Sequence, residues 1–390
     1  MRILKYTLAG LMALTYTSSY AQENYKDIIN KTELKEYKDK YIPTQYITSE
    51  AKASFAKTPK NVIFFIGDGM GQAQVYAALT ANGGQMYMSQ LNLSGYSQTQ
   101  SWDNYVTDSA AGGTALATGK KTRNYMIGMT PDTVAVPSML HLAEKAGLAT
   151  GVVVTVAVTH ATPASFVAHV DDRHKYEDIA TFYQNSGIDV FIGGGMKHFT
   201  ERKDGRNLIK EMTEKEGYRF YEDLESAKND NDSKLAVLAY PEHMPDVVTD
   251  RKFSLAESTK KAIDILSKED NGFFLMVEGS QIDWGGHHNV INEVVNEVLD
   301  MDKAVGEALK FAAENKETLI VITADHETGG LSIINGDYET GAVKANFSTG
   351  NHTGIMVPVY AAGPGAEEFN GWYQNTGVFD RIVKLLNINK

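Results

Sequence analysis

Val62-Ile63-Phe64-Phe65-Ile66-Gly67-Asp68-Gly69-Met70-Gly71 is the stretch from which the fold of this chain can be read. Five consecutive apolar residues, β-branched or aromatic, read as a short buried strand. The glycines that follow allow a tight turn that exposes the Asp68 carboxylate. Taken alone, an Asp capping a strand-to-helix turn would look the same.

The pattern then repeats along the chain. Residues 151–156, 190–192, 273–277, 319–323 and 357–361 also read as buried strands. Between them lie helix candidates at 70–81, 109–119, 137–146, 175–186, 254–268 and 290–314. This order predicts an α/β fold, a mostly parallel central sheet with helices on both faces. Such folds place chemistry at the carboxyl ends of their strands. Asp68, Glu278 and Asp325 each fall one to two residues past a predicted strand. Residues 196–250 are charged and irregular, and 332–350 is rich in Gly, Asn and Thr. Both read as surface insertions in a single catalytic domain over 59–390. Residues 22–58 read as a polar N-terminal arm, either a loose terminus or a segment that wraps a partner subunit.

Composition narrows the functional classes. The chain has 390 residues, 43% of them hydrophobic, which suffices for a large core. Residues 1–21 have a charged start, an apolar centre at 8–14 and a Ser19-Tyr20-Ala21 end, the pattern of a secretory signal peptide. That apolar run falls well short of the ~20 residues needed to span a bilayer. No later run reaches that length, so the mature chain is expected to be exported, periplasmic or secreted, without a membrane span. The whole chain carries −12, and 1–21 holds two basic and no acidic residues, so the remainder carries about −14. That opposes nucleic acid as a dedicated partner. It leaves anionic substrates open, because bound cations can reverse the local field. There is no cysteine, which excludes disulfides, thiolate zinc sites and a cysteine nucleophile. Bound metal is then a natural source of stability for an exported protein. Nine prolines against 34 glycines lean toward a flexible, cold-adapted chain.

The chemistry-bearing residues come in several groups. Asp108-Ser109-Ala110-Ala111 places a serine between a carboxylate and a run of small residues that can open a helix. Backbone N–H groups at a helix N-terminus bind anions, so Ser109 is a candidate nucleophile toward phosphorus. Asp283 and His287 are four apart and would share one helical face, whereas His288 would point roughly 140° away. Asp325-His326 follows a predicted strand, and His352 lies in Gly-Asn-His-Thr-Gly, just before the last one. Each alone reads equally as a cap or a loop histidine. Together they supply two zinc sets: Asp68, Asp325 and His326, and Asp283, His287 and His352. Two metals ~4 Å apart can stabilise the attacking and leaving oxygens of an in-line phosphoryl displacement. His160-Ala161-Thr162 offers an imidazole and a hydroxyl. Arg173 could grip phosphate in a fork, or could be a surface residue of the charged 171–174 cluster.

Asp-Ser-Ala-Ala with its downstream Thr-Gly, Thr-Ala-Asp-His and His-Thr-Gly, in order over about 61–364, resemble the alkaline phosphatase family, above all its secreted, cold-adapted bacterial members. The resemblance implies an alkaline-phosphatase-like fold and hydrolysis of small-molecule phosphate monoesters at alkaline pH, through a phosphoserine on Ser109. It implies two Zn2+ and one Mg2+ per chain. Asp68, Asp325 and His326 would hold the zinc that activates Ser109. Asp283, His287 and His352 would hold the zinc that serves the leaving oxygen and then supplies hydroxide. Asp68, Glu278 and Thr162 would hold magnesium, and Arg173 would grip the phosphoryl oxygens. His160 stands where enterobacterial members have Asp and animal members His, a second-shell or substrate-side place. Trp284 stands where those members have Lys or His. A nitrogen ligand is unfavourable for magnesium, so weaker magnesium binding is expected. Family members are commonly homodimers. The competing readings are a phosphodiesterase of the same superfamily and a non-catalytic metal- or phosphate-binding protein. A sulfatase lacks its modified-residue pattern here, and a cofactor-independent phosphoglycerate mutase is opposed by the leader.

Overall fold

The computed structural model describes residues 31–231, 234–249 and 251–388. The expected leader at 1–21 and the start of the arm lie outside the described residues. Ten strands form one sheet, in the order Gly371–Gln374, Asn92–Gln98, Val357–Ala362, Thr318–Thr323, Asn61–Gly67, Phe273–Gly279, Ala149–Ala157, Val190–Gly194, Leu235–Leu238 and Arg219–Tyr221. Only Val357–Ala362 opposes its neighbours in this sheet, and every other pairing is parallel. The mostly parallel sheet expected from the sequence is present.

The opening strand, Asn61–Gly67, is buried along its whole length between Thr318–Thr323 and Phe273–Gly279. Alternation divides its side chains between two cores. Ile63 and Phe65 join a core with residues of the helices Gln72–Ala81, Leu255–Leu266 and Ile291–Asn315. Val62, Phe64 and Ile66 join another with residues of Met139–Lys145, Tyr176–Tyr183 and Thr376–Leu386. Fully burying one such side chain contributes ~1.5–3 kcal/mol, so a strand covered on both faces is apolar except at Asn61, whose amide is hydrogen-bonded to Asn315 and Thr318. Each expected helix is found within a few residues of its predicted bounds.

Four strands of this sheet were not legible. Gly371–Gln374 is an edge strand and Asn92–Gln98 is its inner neighbour, and neither is an unbroken run of apolar residues. At Gly95 a Cβ would collide with the Gly371 carbonyl of the neighbouring strand, so the small residue permits the pairing. Residues 196–250 are not merely an irregular insertion. They supply Arg219–Tyr221 and Leu235–Leu238, which finish the sheet, and the helix Leu208–Glu216. These strands have only three and four residues, too short for a period to stand out among the charges. Residues 332–350 lie largely in a hairpin, Leu331–Asp337 with Ala342–Phe347. The arm's Glu33–Leu34 adds a third strand to it. Tyr37 and Tyr41 then bond Asn296 and Asp302 on the helix Ile291–Asn315. The described part of the arm is therefore docked on its own chain.

That long helix also bears a buried ion cluster. Arg251 donates to Glu297 at 2.6 Å and to Asp300 at 2.8 Å, with all three side chains almost wholly buried. Burial pushes both carboxyls up from their ordinary range, and the guanidinium opposes it. Removing one partner strands buried charge, which typically costs ~3–5 kcal/mol. Arg251→Ala should lower unfolding stability by about that much in a denaturant titration.

Candidate functional site

The turn after the opening strand positions the first ligand candidate. Gly69 has φ +71°, and its amide donates to Asp325 Oδ1 at 3.2 Å. A Cβ there would stand 2.7 Å from Thr328 Oγ1 and 2.8 Å from the Asp283 Cα, so three loops close on one another only because it is absent. Asp68, Glu278 and Asp325 all emerge at the carboxyl edge of neighbouring central strands. His352 reaches the same edge from the other direction. It precedes Val357–Ala362, the one antiparallel strand, whose beginning lies where its neighbours end.

Three groups of side chains result. Asp68, Asp325 and His326 form one, Asp283, His287 and His352 a second, and Asp68, His160 and Glu278 a third; each offers donor atoms within 4.8 Å of one another. Thr162 donates to Asp68 Oδ2 at 3.4 Å and also bonds Glu278, placing its hydroxyl beside the third group.

The histidine tautomers follow from what each ring touches. His287 Nδ1 donates to the Gly350 carbonyl at 2.7 Å, and His352 Nδ1 to the Thr107 carbonyl at 2.9 Å. A carbonyl can only accept, so each Nδ1 carries the hydrogen, and in the neutral ring each Nε2 presents a lone pair. Those two Nε2 atoms face each other at 3.2 Å, with Asp283 oxygens 3.3 and 3.5 Å away. The Thr328 hydroxyl donates to Asp283 and thus accepts from His326 Nδ1 at 3.3 Å. His326 Nε2 then faces Asp325 at 3.2 Å, Asp68 at 3.5 Å and Ser109 Oγ at 3.3 Å. Lone pairs and carboxylates directed at a common point require a cation. Buried Asp68 Oδ1, Asp325 Oδ2, Glu278 Oε1 and His160 Nδ1 have no hydrogen-bond partner, as ligand atoms awaiting an ion would not. This donor set fits divalent metal.

Electrostatics agree. Burial, then the neighbouring carboxylates, push Asp68 and Asp325 well above the usual range. Burial pushes Glu278 up to about 7. Burial holds His160 and His326 well below the imidazole range. Burial alone would raise Asp283, but its bond to His287 and the surrounding imidazoles hold it low. The same bond pushes His287 up to about 9.

Ser109 opens the buried helix Ser109–Thr118, with Asp108 as N-cap accepting from the Ala111 amide at 3.0 Å. The other Asp108 oxygen accepts from Arg173 Nη1 at 3.0 Å and from the Tyr125 amide at 3.1 Å. Burial would lower the Arg173 pKa, but Asp108 raises it, so the guanidinium stays charged. Its Nη2 lies 3.4 Å from His160 Nε2.

The sequence model of the alkaline phosphatase family matches residues 59–346. The chain belongs to the alkaline phosphatase family. It is 35% identical to alkaline phosphatase 4 of Bacillus subtilis (strain 168), covering 87% of this chain and 92% of that protein. It is 39% identical to the alkaline phosphatase of the Antarctic bacterium TAB5, with a TM-score of 0.80 over 86% of this chain and 100% of that one. Variants of the TAB5 enzyme with one histidine changed to Glu or Asp have magnesium bound in their M3 site. This alkaline phosphatase is therefore a hydrolase of phosphate monoesters, and its three donor groups support a metal cofactor.

Among the expected site residues, Trp284 alone stands back. Its ring meets His243 edge-on at 5.1 Å, and His243 in turn meets His160 at 5.5 Å. His243, Thr328 and the Asp108–Arg173 pair were not assigned from sequence. Nothing near His243 marks it, since it comes from the 196–250 segment. His288 points away from the donors and pairs with Glu293, as its helical position predicted.

A proton on His287 competes with metal, because the ligand must be neutral. Below about pH 9 the cluster's affinity should fall by up to ~10-fold per pH unit. A competitive zinc titration of the metal-stripped protein should therefore show binding ~10–100-fold tighter at pH 9 than at pH 7.

Proposed function

We propose that hydrolysis proceeds in two in-line steps on Ser109, with two Zn2+ and one Mg2+ per chain. The observation that carries this reading is the approach of Ser109 Oγ to His326 Nε2, at 3.3 Å, beside two unpaired buried carboxylate oxygens. Divalent cations bound here supply Lewis-acid charge for the nucleophile, the leaving oxygen and the attacking water. Asp68, Asp325 and His326 would hold the zinc beside Ser109. Asp283, His287 and His352 would hold the zinc on the leaving side. Asp68, Glu278 and Thr162 would hold magnesium.

Ser109 Oγ attacks phosphorus, and the alcohol leaves from the opposite side. Water then attacks the phosphoserine, releasing phosphate and restoring the hydroxyl. Arg173, locked by Asp108, presents two N–H groups to non-bridging oxygens. The open N-terminus of the Ser109 helix adds favourable dipole. Little of this is covalent work by the protein; positioning and charge dominate phosphoryl transfer.

A diester has one fewer free oxygen for Arg173, so this geometry favours monoesters. Hydrolysis of a chromogenic monoester and its diester at alkaline pH, with zinc and magnesium supplied, tests the reading. The monoester should be strongly preferred, and Ser109→Ala should lower kcat by ~10³-fold or more. Preference for the diester would keep the metals and change the reaction. Metal binding without turnover of either would return the chain to a binding role.

His160 bears on the third ion. His160 belongs to the same donor group as Asp68 and Glu278, and its buried Nδ1 has no hydrogen-bond partner, which supports weak magnesium binding. His160→Asp should tighten magnesium several-fold in a metal titration; equal affinities would remove His160 from this role.

Three further readings accompany the mechanism. A single catalytic domain over 59–390 is supported by the one sheet that spans Asn61 to Gln374. An exposed apolar cleft lined by Tyr76, Leu331, Ile333 and Ile355 supports a homodimer. Export to the periplasm or medium is supported by the pattern at 1–21, and among the described residues no helix is long and apolar enough to cross a membrane.

A further inference from the structure

Exposed aromatic residues gather on the segment that wraps the nucleophile helix. Tyr125 is 55% exposed yet has φ +70°, a left-handed conformation that strains any residue but glycine. Strain kept beside a reactive centre points to a use for the side chain it holds there. The Tyr125 backbone is tied to both sides of the phosphate site. Its amide donates to Asp108 at 3.1 Å, and its carbonyl accepts from the Arg173 amide at 2.8 Å. Its ring lies 5.9 Å from that of His174, tilted by 35°. The ring therefore stands on the rim next to the arginine.

Tyr105 holds the corresponding place by the second metal-ligand group. It is 78% exposed, two residues before Thr107, whose carbonyl orients His352. Its ring edge rests on Gly354, where a Cβ would collide with it. Neither ring belongs to a core cluster. Both rings thus lie at the margin of the site, one on a backbone bonded to Asp108 and Arg173, the other against Gly354, two residues past His352.

We propose that Tyr105 and Tyr125 clamp the alcohol portion of the substrate, so that the site favours monoesters whose alcohol carries a planar heterocycle, as nucleoside 5′-monophosphates do. This rests on the roles given above to Ser109, Arg173 and the His352 group. Stacking of a base on an aromatic side chain is sequence-tolerant and strong enough to alter specificity about tenfold.

Adenosine 5′-monophosphate and ribose 5-phosphate test the clamp, because both release a primary alcohol and differ in the base. With the metal-loaded enzyme, kcat/KM for the nucleotide should exceed that for the sugar phosphate by ~10-fold, chiefly through KM. Tyr125→Gly suits the left-handed backbone and removes the ring, so it should bring the ratio toward one. Tyr105→Ala should lower the ratio as well, and Tyr125→Phe should restore it. A general loss of activity cancels in the ratio, so a merely structural role would leave it unmoved. A ratio near one in the native enzyme overturns the clamp and leaves the phosphatase reading intact. A high ratio that survives both ring deletions overturns the assignment to these tyrosines. Failure to hydrolyse either ester overturns the reading of the site and the clamp with it.

Discussion

Two imidazole Nε2 atoms that face each other 3.2 Å apart beside a carboxylate, with bare lone pairs whenever both rings are neutral, are the constraint on which the site depends. Backbone carbonyls impose it by taking the Nδ1 hydrogens of His287 and His352. His326 is treated likewise by Thr328. The fold thus directs electron pairs inward and leaves only a cation to balance them. A proton on His287 is one solution, and divalent metal is the better one, because it also balances the Asp68, Asp325 and Glu278 carboxylates.

Maintaining so much unbalanced charge requires a rigid frame. The central strands provide it, with side chains buried on both faces and loops opening at one edge. Gly69 lets the turn after the first strand approach the Asp283 helix and the Thr328 loop, so the two groups share one wall. With no cysteine in the chain, no disulfide stiffens these loops. Metal is then part of the structure as well as of the chemistry, and a stripped protein holds several buried carboxyls that resist ionisation.

Asp108 joins the frame to the reaction. One of its oxygens caps the nucleophile helix, and the other grips Arg173 and the Tyr125 backbone. Ser109, Arg173 and the Tyr125 backbone are thereby fixed to one carboxylate.

The order of strands and helices could be read from the sequence, because runs such as 62–66 and 319–323 are apolar enough to require cover on both faces. So could most members of the three donor groups: Asp68, Glu278 and Asp325 follow such strands, and Asp283 and His287 share a helical face. Likeness to a family, rather than spacing, singled out Thr162 and Arg173. What sequence could not decide was direction and neighbourhood. His352 lies before its strand, which in a parallel sheet would put it at the wrong edge; only the antiparallel run of Val357–Ala362 brings it beside Asp283 and His287. The short strands of 196–250 and the place of His243 against His160 depend on partners distant in the chain. Local pattern determines which residues must be buried or turned. Strand direction and loop closure decide which of them meet, because those depend on contacts between segments hundreds of residues apart.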